Sequence, residues 1–256
     1  MPILPKILAH IGNFDASSGA RMRNLPSEFD DSLSRQAVLS TALASVFRGK
    51  FCDLILADRK ATTFDKHSVI YDVGDRERMF FFLQSGFVRV GTMNANGREV
   101  IYDVRKGGDV IGELCASEQI RPDRAVALEE TSAICVPFEE VMEFLLKKPD
   151  LISVLVEVFC RALKEAYAQV NSLAIDDTIH RLVKVLIGLA TKIGQQSGSL
   201  VEIPTYLTQE EIAQMAGARR ERISTALNSL RRRGMVQYST RGHMMLDVAA
   251  LEVHSA

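Results

Sequence analysis

The segment from Tyr206 to Met235 constrains the fold more than any other part of the chain, because its pattern is that of two short helices separated by a glycine. Thr208 can cap the first helix, and Glu211 three residues later completes a capping box. This predicts a helix over 209–216 that ends at Gly217, where a tight turn follows.

The second helix of the pair is predicted over 218–232. Its apolar residues fall on one face and its polar residues on the other. The inward residues are Ile223, Leu227 and Leu230, and the outward ones are Arg219, Arg220, Glu221, Arg222, Thr225 and Asn228. Two helices joined by a glycine-bearing turn, with an Arg- and Glu-rich start to the second, are typical of a helix-turn-helix with a recognition helix. The alternative is an αα-hairpin with a solvated charged face.

Two short apolar runs follow this pair, at 235–237 and 244–246, and they flank the turn sequence Ser-Thr-Arg-Gly at 239–242. They predict a β-hairpin, and hence a winged helix-turn-helix.

The charge is divided unevenly along the chain. Residues 180–243 carry ten Lys or Arg against four Glu, a net charge of +6, so the remainder carries −7 within a total of −1. Any single arginine can be part of a solvated surface. The concentration of positive charge in one segment indicates that this end meets a polyanion.

The overall composition is that of an ordinary soluble globular protein, with 47% hydrophobic and 25% charged residues. No apolar run is long enough to span a bilayer, and the first residues show no secretory signal. The four cysteines lack CxxC spacing, which indicates reduced thiols, no metal site and a cytoplasmic protein. No Gly-rich phosphate loop, HExxH motif or Ser/His/Asp arrangement is present, so the chain is not expected to be an enzyme.

The residue pattern changes twice within the N-terminal half of the chain. Residues 1–30 read as a loose extension, and helical spacing follows over 31–50. From Cys52 to Pro137 the chain consists of short apolar runs split by turn residues, with a hairpin turn at Asn94–Gly97. About eight short strands with glycine-bearing turns predict a compact antiparallel roll.

The middle of the chain is helical. A short helix is predicted over 139–146, and Pro149 suits the first turn of a much longer one. Its apolar stripe consists of Ile152, Leu155, Phe159, Ala162, Ala166, Val170 and Leu173. A stripe of this length is a coiled-coil-like seam that requires a partner, so we expect self-association; the alternative is packing against the chain's own roll. A further helix over 178–193, a loop over 195–199 and a strand beginning at VEIP complete the prediction.

At this point the chain resembles the cyclic-AMP receptor protein and fumarate–nitrate regulator family of bacterial transcription factors. The resemblance runs from about Cys52 to the C-terminus. It rests on SGFVRVG, GGDVIGEL, the long helix and TQEEIAQMAGARRERISTALNSL, in that order. It implies an α+β architecture: a cyclic-nucleotide-binding β-roll (a double-stranded β-helix jelly roll), a long dimerisation helix and a C-terminal winged helix-turn-helix.

In the sensor domain the resemblance implies a ligand site made of Gly112, Glu113, Leu114, Arg124, Ala125 and Tyr167. The family's glutamate accepts from the ribose hydroxyl, and its arginine and backbone N–H groups hold the cyclic phosphate. This chain departs from the pattern in three ways. Ala125 replaces the hydroxyl residue after the arginine, the Glu-to-Arg interval is one residue longer, and Ala166-Tyr167 replaces the Thr-Ser pair that reads adenine. Cyclic AMP is the first choice of effector, and cyclic GMP or cyclic di-GMP is the next.

Two sensing branches of the family fit poorly. The oxygen-sensing branch needs a closely spaced N-terminal cysteine cluster, which this sequence lacks. The haem-binding carbon monoxide branch uses an N-terminal proline, present here as Pro2, but no histidine or cysteine lies near Val104-Arg105, where that branch places its other ligand.

In the DNA reader, Arg220 and Glu221 match the family's pair that reads a G·C step, while the second base-reading arginine is replaced by Thr225. Arg219, Arg222 and Arg231 are expected to meet phosphates, and Asp177 matches the hinge aspartate. The full set of expected DNA contacts is Thr208, Arg219, Arg220, Glu221, Arg222, Thr225, Arg231 and Arg241.

The sequence thus predicts four segments: an extension (1–30), a sensor domain (31–148), a dimerisation helix and hinge (149–176) and a DNA-binding domain (177–256). The expected function is that of a homodimeric, allosteric DNA-binding regulator, gated by a cyclic nucleotide and partnered by RNA polymerase. No cofactor is required. The alternative is a constitutive regulator whose roll is only a dimer scaffold.

Overall fold

The computed structural model describes residue 56 and residues 58–116 and 120–255. The extension predicted over 1–30 and the helix predicted over 31–50 therefore lie outside the described residues.

The described part of the N-terminal region contains eight antiparallel strands that form a roll, as the sequence predicts. The strands are β1 (Thr62–Phe64), β2 (Val69–Tyr71), β3 (Met79–Ser85), β4 (Phe87–Met93), β5 (Glu99–Lys106), β6 (Val110–Ile111), β7 (Arg124–Ala127) and β8 (Thr131–Pro137). They form two four-stranded sheets, ordered β1-β8-β3-β6 and β2-β7-β4-β5. Side chains from both sheets, including Phe81, Leu83, Val88 and Ile111, meet in one buried cluster, so the roll closes around its own core.

The β4–β5 hairpin turns where the sequence predicts it. The Asn94 N–H donates to the Arg98 carbonyl at 3.0 Å, and the Gly97 N–H donates to the Asn94 carbonyl at 2.9 Å. Gly97 takes a left-handed φ of +74°, which a residue without a Cβ adopts without strain.

The rest of the chain is mainly helical. A 3-10 turn (Glu113–Ala116) lies within the roll. The helices are α1 (Phe138–Leu146), α2 (Pro149–Ile175), α3 (Thr178–Ile193), α4 (Gln209–Met215), α5 (Arg220–Arg232) and α6 (Val248–Ser255). Four further strands are β9 (Gln195–Ser197), β10 (Leu200–Glu202), β11 (Val236–Tyr238) and β12 (Met244–Leu246), and they form a sheet ordered β11-β12-β10-β9.

The prediction of a loop over 195–199 is wrong for its first three residues, because these form strand β9. β9 pairs with β10 through backbone hydrogen bonds around a turn in which Gly198 has a φ of +63°. All three side chains are exposed, so this polar edge strand carries no apolar alternation for sequence analysis to detect.

The second helix of the pair also begins later than predicted. α5 starts at Arg220, because Arg219 has the extended backbone of an N-cap residue, with φ −81° and ψ 145°. Gly217 at φ +58° makes the turn after α4, which ends at Met215. Ala218 and Arg219 therefore belong to the turn.

The apolar stripe of α2 differs in part from the predicted seam. Leu155 is half-buried and packs against the roll core around Phe80 and Val136, which agrees with the alternative of packing against the chain's own roll. The stripe that the structure leaves exposed includes three residues absent from the predicted seam. It consists of Ile152, Val156, Phe159, Leu163, Tyr167, Val170 and Leu173. The roll covers one flank of the helix and leaves the neighbouring flank open, a choice that helical periodicity alone does not reveal.

The roll and the C-terminal region share a hydrophobic core. Ile101, Val104 and Leu128 of the roll lie in the same buried cluster as residues of α3, α4 and α5. Two ion pairs reinforce this contact: Lys192 Nζ lies 2.7 Å from Asp103 Oδ1, and Arg89 Nε lies 3.8 Å from Glu211 Oε1. The sensor strands β4 and β5 are thereby attached to the two-helix unit.

Candidate functional site

The first turn of α5 presents a cluster of charged side chains to solvent. Arg219, Arg220, Glu221 and Arg222 are all exposed, as are Thr225 and Asn228. On the opposite face Ile223, Ala226, Leu227 and Leu230 are buried, which fixes the rotation of the helix about its axis. The hydroxyl of Thr225 donates to the Glu221 carbonyl at 3.0 Å, so this side chain lies back along its own helix.

The capping box predicted at α4 is present. Both the backbone N–H and the hydroxyl of Thr208 donate to Glu211 Oε2 at 2.8 Å, and the Glu211 N–H donates to Thr208 Oγ1 at 3.1 Å. These bonds satisfy the free backbone donors at the start of the helix. The hydroxyl proton of Thr208 is already donated to Glu211, so the role that the structure shows for this expected DNA contact is to cap α4.

The hairpin predicted after α5 is formed by β11 and β12. The Ser239 N–H donates to the His243 carbonyl at 2.8 Å, and Arg241 is exposed in the turn. The guanidinium of Arg231 lies 5.2 Å from the centre of the Tyr238 ring, so it links the end of α5 to the wing. Burial raises the pKa of the Tyr238 hydroxyl.

The hinge between α2 and α3 contains two adjacent aspartates. Asp177 caps α3, because its Oδ1 accepts from the His180 N–H at 2.9 Å, and this bond lowers the pKa of its carboxyl. Arg181 Nε donates to the Ala216 carbonyl at 3.0 Å and Nη1 to the Asp176 carbonyl at 3.2 Å, which ties the hinge to the turn between α4 and α5. Sequence analysis identified Asp177 but missed Asp176 and Arg181.

Gly112 and Glu113 lie where β6 leads into the 3-10 turn. Gly112 is buried with φ +91°, and a Cβ there would lie 2.6 Å from the Met79 carbonyl, so only glycine fits. Glu113 Oε1 accepts from Arg105 Nη2 at 3.4 Å. Leu114 is 38% exposed.

The other expected ligand residues have different surroundings. Arg124 Nε lies 3.4 Å from Asp72 Oδ1, and its Nη1 lies 3.4 Å from the sulfur of Met93. Ala125 is fully buried in the roll core. Tyr167 is 62% exposed on α2. Within residues 58–116 and 120–255, no hydrogen bond or ion pair joins Arg124 or Tyr167 to Gly112 or Glu113.

A buried polar cluster in the roll was missed by sequence analysis. It consists of Tyr71, Arg105, Arg121 and Asp123, each at most 9% exposed. The Arg121 guanidinium lies 4.1 Å from the Tyr71 ring centre and donates to the carbonyls of Met79 and Gly112 at 2.6 and 3.4 Å. The Tyr71 hydroxyl donates to Asp123 Oδ2 at 2.9 Å. The only sequence signal was an Arg-Pro-Asp run directly before Arg124.

Burial dominates the titration of this cluster. Desolvation raises the pKa of the Asp123 carboxyl and, together with the charge of Asp123, raises that of the Tyr71 hydroxyl. Burial disfavours the charged guanidinium of Arg105 and by itself would lower its pKa. The neighbouring carboxylates of Asp103 and Glu113 stabilise the charge, and the pKa of the guanidinium is raised as a result.

The described part of the chain contains no helix with both the length and the apolar character that a bilayer span requires. Among the same residues, no three His, Cys, Asp or Glu side chains converge as a metal site.

Comparison with known families assigns both halves of the structure. Residues 61–148 match the model of the cyclic nucleotide-binding domain, and residues 180–253 match that of the Crp-like helix-turn-helix domain. The two matches occur in the order of the roll and the winged two-helix unit, and together they span most of the described chain. The chain belongs to the cyclic-AMP receptor protein and fumarate–nitrate regulator (CRP/FNR) family.

Individual relatives agree with this assignment to the CRP/FNR family. The chain is 27% identical over 210 residues to the CRP-like cAMP-activated global transcriptional regulator of Mycobacterium tuberculosis, covering 80% of this chain and 94% of that protein. It is also 27% identical over 197 residues to the Global nitrogen regulator of Synechocystis, covering 76% of this chain and 87% of that protein.

Solved structures confirm the fold of the CRP/FNR family in this chain. FixK2 from Bradyrhizobium japonicum superposes with a TM-score of 0.68 at 19% identity, covering 77% of this chain and 98% of that one. A CooA mutant from Carboxydothermus hydrogenoformans gives 0.66 at 21% identity, covering 84% and 95%. The protein is thus a DNA-binding transcription regulator with a cyclic nucleotide-binding domain, and its relatives are regulators and not enzymes.

Proposed function

We propose that the protein is a homodimeric, bacterial-type transcription regulator whose affinity for a two-fold symmetric DNA site is gated by a cyclic nucleotide in the roll. Cyclic AMP is the first choice, and cyclic GMP or cyclic di-GMP is the next. We assign residues 31–148 to a sensor domain, 149–176 to a dimerisation helix and hinge, and 177–256 to a DNA-binding domain. RNA polymerase is the partner expected from the family.

The observation that carries the proposal is the exposed start of α5. Arg220 and Glu221 project from its first turn, and the buried face formed by Ile223 and Leu227 holds the helix in place. An arginine can present a bidentate fork to guanine O6 and N7, and a glutamate can accept from cytosine N4. We therefore assign base reading to Arg220 and Glu221, and phosphate contacts to Arg219, Arg222, Arg231 and Arg241.

Base reading is tested by fluorescence anisotropy on a selected site and its base variants. Arg220→Ala should cost about 1–3 kcal/mol per half-site and relax the preference at one guanine. Arg231→Ala should weaken binding to all sequences about equally and flatten the salt dependence, as the loss of a phosphate contact does. If both variants lose affinity uniformly across all bases, α5 is not the recognition helix.

The effector site rests on the turn at Gly112. Its left-handed backbone brings the chain directly to Glu113, a family position for accepting a ribose hydroxyl, and residues 61–148 match the cyclic nucleotide-binding model. Arg124 makes two long contacts, of Nε with Asp72 Oδ1 and of Nη1 with the Met93 sulfur, each at 3.4 Å, and we infer that a cyclic phosphate would replace them. The relative from M. tuberculosis is named as cAMP-activated, and the regulator CLP of Xanthomonas campestris, similar in fold, is named as responsive to c-di-GMP.

The alternative is a constitutive regulator whose roll is only a scaffold. It is favoured by the burial of Arg121 and Asp123 inside the roll and by Ala125 at the position where the family has a hydroxyl. In this reading the protein's own side chains fill the space of a ligand.

Calorimetric titration of the full chain with each of the three nucleotides separates the two readings. Under the gated reading one nucleotide binds, and Arg124→Ala loses on the order of 2–5 kcal/mol of that binding. The control is Arg76→Ala, which removes an exposed arginine of the roll and should leave nucleotide binding unchanged. If none of the three nucleotides binds while specific DNA binding persists, the scaffold reading is correct.

A further inference from the structure

An open cavity of about 350 Å³ lies between the roll and the start of the recognition helix. It is lined by Arg98, Arg181, Gly217, Ala218, Arg219 and Arg222. Four of these six residues are arginines, and they come from three separate parts of the chain: the β4–β5 turn, the first turn of α3, and the region where α4 leads into α5.

The arginines of this cavity have positive charge that nothing in the described chain neutralises. Within residues 58–116 and 120–255, no carboxylate lies within ion-pairing distance of the guanidinium groups of Arg98, Arg219 or Arg222. Arg181 is half-buried and uses Nε and Nη1 on the carbonyls of Ala216 and Asp176. Four like charges around one opening repel one another, and an anion in the opening would relieve that repulsion.

The backbone of the cavity wall also favours an anion. Arg219 is the N-cap of the 13-residue helix α5, and its side chain makes no capping hydrogen bond. The Arg222 N–H donates to the Arg219 carbonyl at 3.0 Å, whereas the N–H groups of Arg220 and Glu221 find no acceptor among the described residues. The positive end of the helix dipole adds to the arginine charges. A phosphate group has the charge and acceptor geometry that arginine forks bind most strongly.

Arg98 has a defined position in this cavity, although its side chain is exposed. Its N–H donates to Asn94 Oδ1 at 2.9 Å, and its carbonyl accepts from the Asn94 N–H at 3.0 Å, so the tight turn fixes its backbone. The hairpin that carries it is joined to α4 by the Arg89–Glu211 pair and to α3 by the Lys192–Asp103 pair. Arg98 thus lies beside Arg219 and Arg222 only while the roll remains docked.

We propose that this cavity binds a phosphate group of the DNA backbone, so that Arg98 is a DNA contact supplied by the sensor domain. The inference rests on the assignment of α5 as the recognition helix. DNA is favoured over a free phosphorylated molecule because Arg219 and Arg222 flank the base-reading pair Arg220 and Glu221, and the phosphates next to the contacted bases come within their reach. Docking of the roll then contributes directly to DNA affinity.

The test is the salt dependence of DNA binding by the full chain, measured by anisotropy at about 50 and about 200 mM salt on a selected site and an unrelated duplex. Each phosphate contact contributes a slope of about −0.9 in log K against log salt. Raising the salt from about 50 to about 200 mM therefore weakens binding by about 3.5-fold for each phosphate contact. Arg98→Ala should lose this factor for each contact removed, on both duplexes, so its affinity should fall less steeply with salt than that of wild type. Arg98→Lys should largely retain the slope.

The control is Arg76→Ala, which removes an exposed sensor arginine that does not line the cavity and should leave the slope at the wild-type value. Because Arg98 is exposed, its substitution should leave the midpoint of thermal unfolding close to the wild-type value, which a thermal melt verifies. A reduced slope for both Arg98→Ala and Arg76→Ala would indicate a general charge effect and overturn the proposal.

Inorganic pyrophosphate, titrated calorimetrically without DNA, distinguishes the two sources of phosphate. If Arg98→Ala abolishes pyrophosphate binding but leaves the salt slope on DNA unchanged, the cavity takes a small phosphorylated molecule and the DNA assignment is wrong. If wild-type protein reads bases through Arg220 while Arg98→Ala keeps both affinity and slope, only this inference fails. If Arg220→Ala leaves base preference intact, the assignment of α5 fails first.

Discussion

Lys192 Nζ of α3 lies 2.7 Å from Asp103 Oδ1 of β5. This ion pair directly connects the DNA-binding domain to the roll. Asp103 Oδ2 also lies 2.9 Å from Arg105 Nε, and Arg105 Nη2 in turn donates to Glu113 at 3.4 Å. The glutamate of the proposed effector site is therefore connected to α3 through three successive ion pairs. Contiguity alone does not demonstrate coupling, so it needs an energetic test.

The bridge should be measurable in a double-mutant cycle of Asp103→Asn and Lys192→Met. Both side chains are less than 20% exposed, so either single change leaves a poorly solvated charge and should cost about 1–3 kcal/mol of unfolding free energy. The double variant should lose less than the sum of the two. Urea unfolding provides the values, and Lys60→Met, an exposed lysine, is the control. Strict additivity would show that the pair contributes no coupling.

The dimer should depend on the exposed stripe of α2. Phe159 and Leu163 are 43% and 52% exposed, and replacing both with glutamate would place unpaired charges in a desolvated seam at a cost of several kcal/mol. Sedimentation should then show a monomer. The matched control is Ala168→Glu, which adds a charge on the opposite, exposed face of the same helix. A double variant that sediments as an intact dimer would refute the assignment of this stripe.

The capping box should contribute to the stability of the DNA reader. Thr208→Ala removes the side-chain acceptor of the Glu211 N–H and should cost about 0.5–2 kcal/mol. Thr208→Ser keeps the hydroxyl and should restore most of the loss. Chemical denaturation measures both. If the serine variant is as unstable as the alanine variant, the loss comes from the methyl packing and not from the cap.

The buried carboxyl of Asp123 should make the stability depend on pH. Burial raises its pKa in the folded state, so its protonated form favours folding. This contribution is fully present below the unfolded pKa of about 3.9, and it is lost as the pH rises through the folded pKa. Asp123→Asn keeps an acceptor for the Tyr71 hydroxyl without the charge.

Relative to wild type, the Asp123→Asn variant should therefore gain stability as the pH rises through that window and then level off. Urea midpoints between about pH 4 and about pH 8 provide the comparison. The control is Asp58→Asn, which removes an exposed carboxylate; its urea midpoint should change with pH in the same way as that of wild type. A difference between Asp123→Asn and wild type that does not vary with pH would show that Asp123 titrates alike in the folded and unfolded chain.

The features that depend on local chemistry could be predicted from the sequence. The Thr208–Glu211 box, the turn at Gly217, the Asn94–Gly97 hairpin and the start of α2 at Pro149 each depend on residues within about one turn of one another. Helix α5 was predictable for the same reason, apart from the first two predicted residues: Ala218 lies in a bend and Arg219 has the extended backbone of an N-cap residue.

Long-range packing determines which side chains meet across the fold. Leu155 and Val156 are adjacent and apolar, but the roll covers the first and leaves the second exposed. The burial of Arg121 depends on distant parts of the roll, because its partners Tyr71 and Gly112 come from other segments of the chain. Arg98 and Arg222 line the same cavity only because the β4–β5 hairpin docks on the two-helix unit. These contacts arise from long-range packing, which the periodicity of a single segment does not encode.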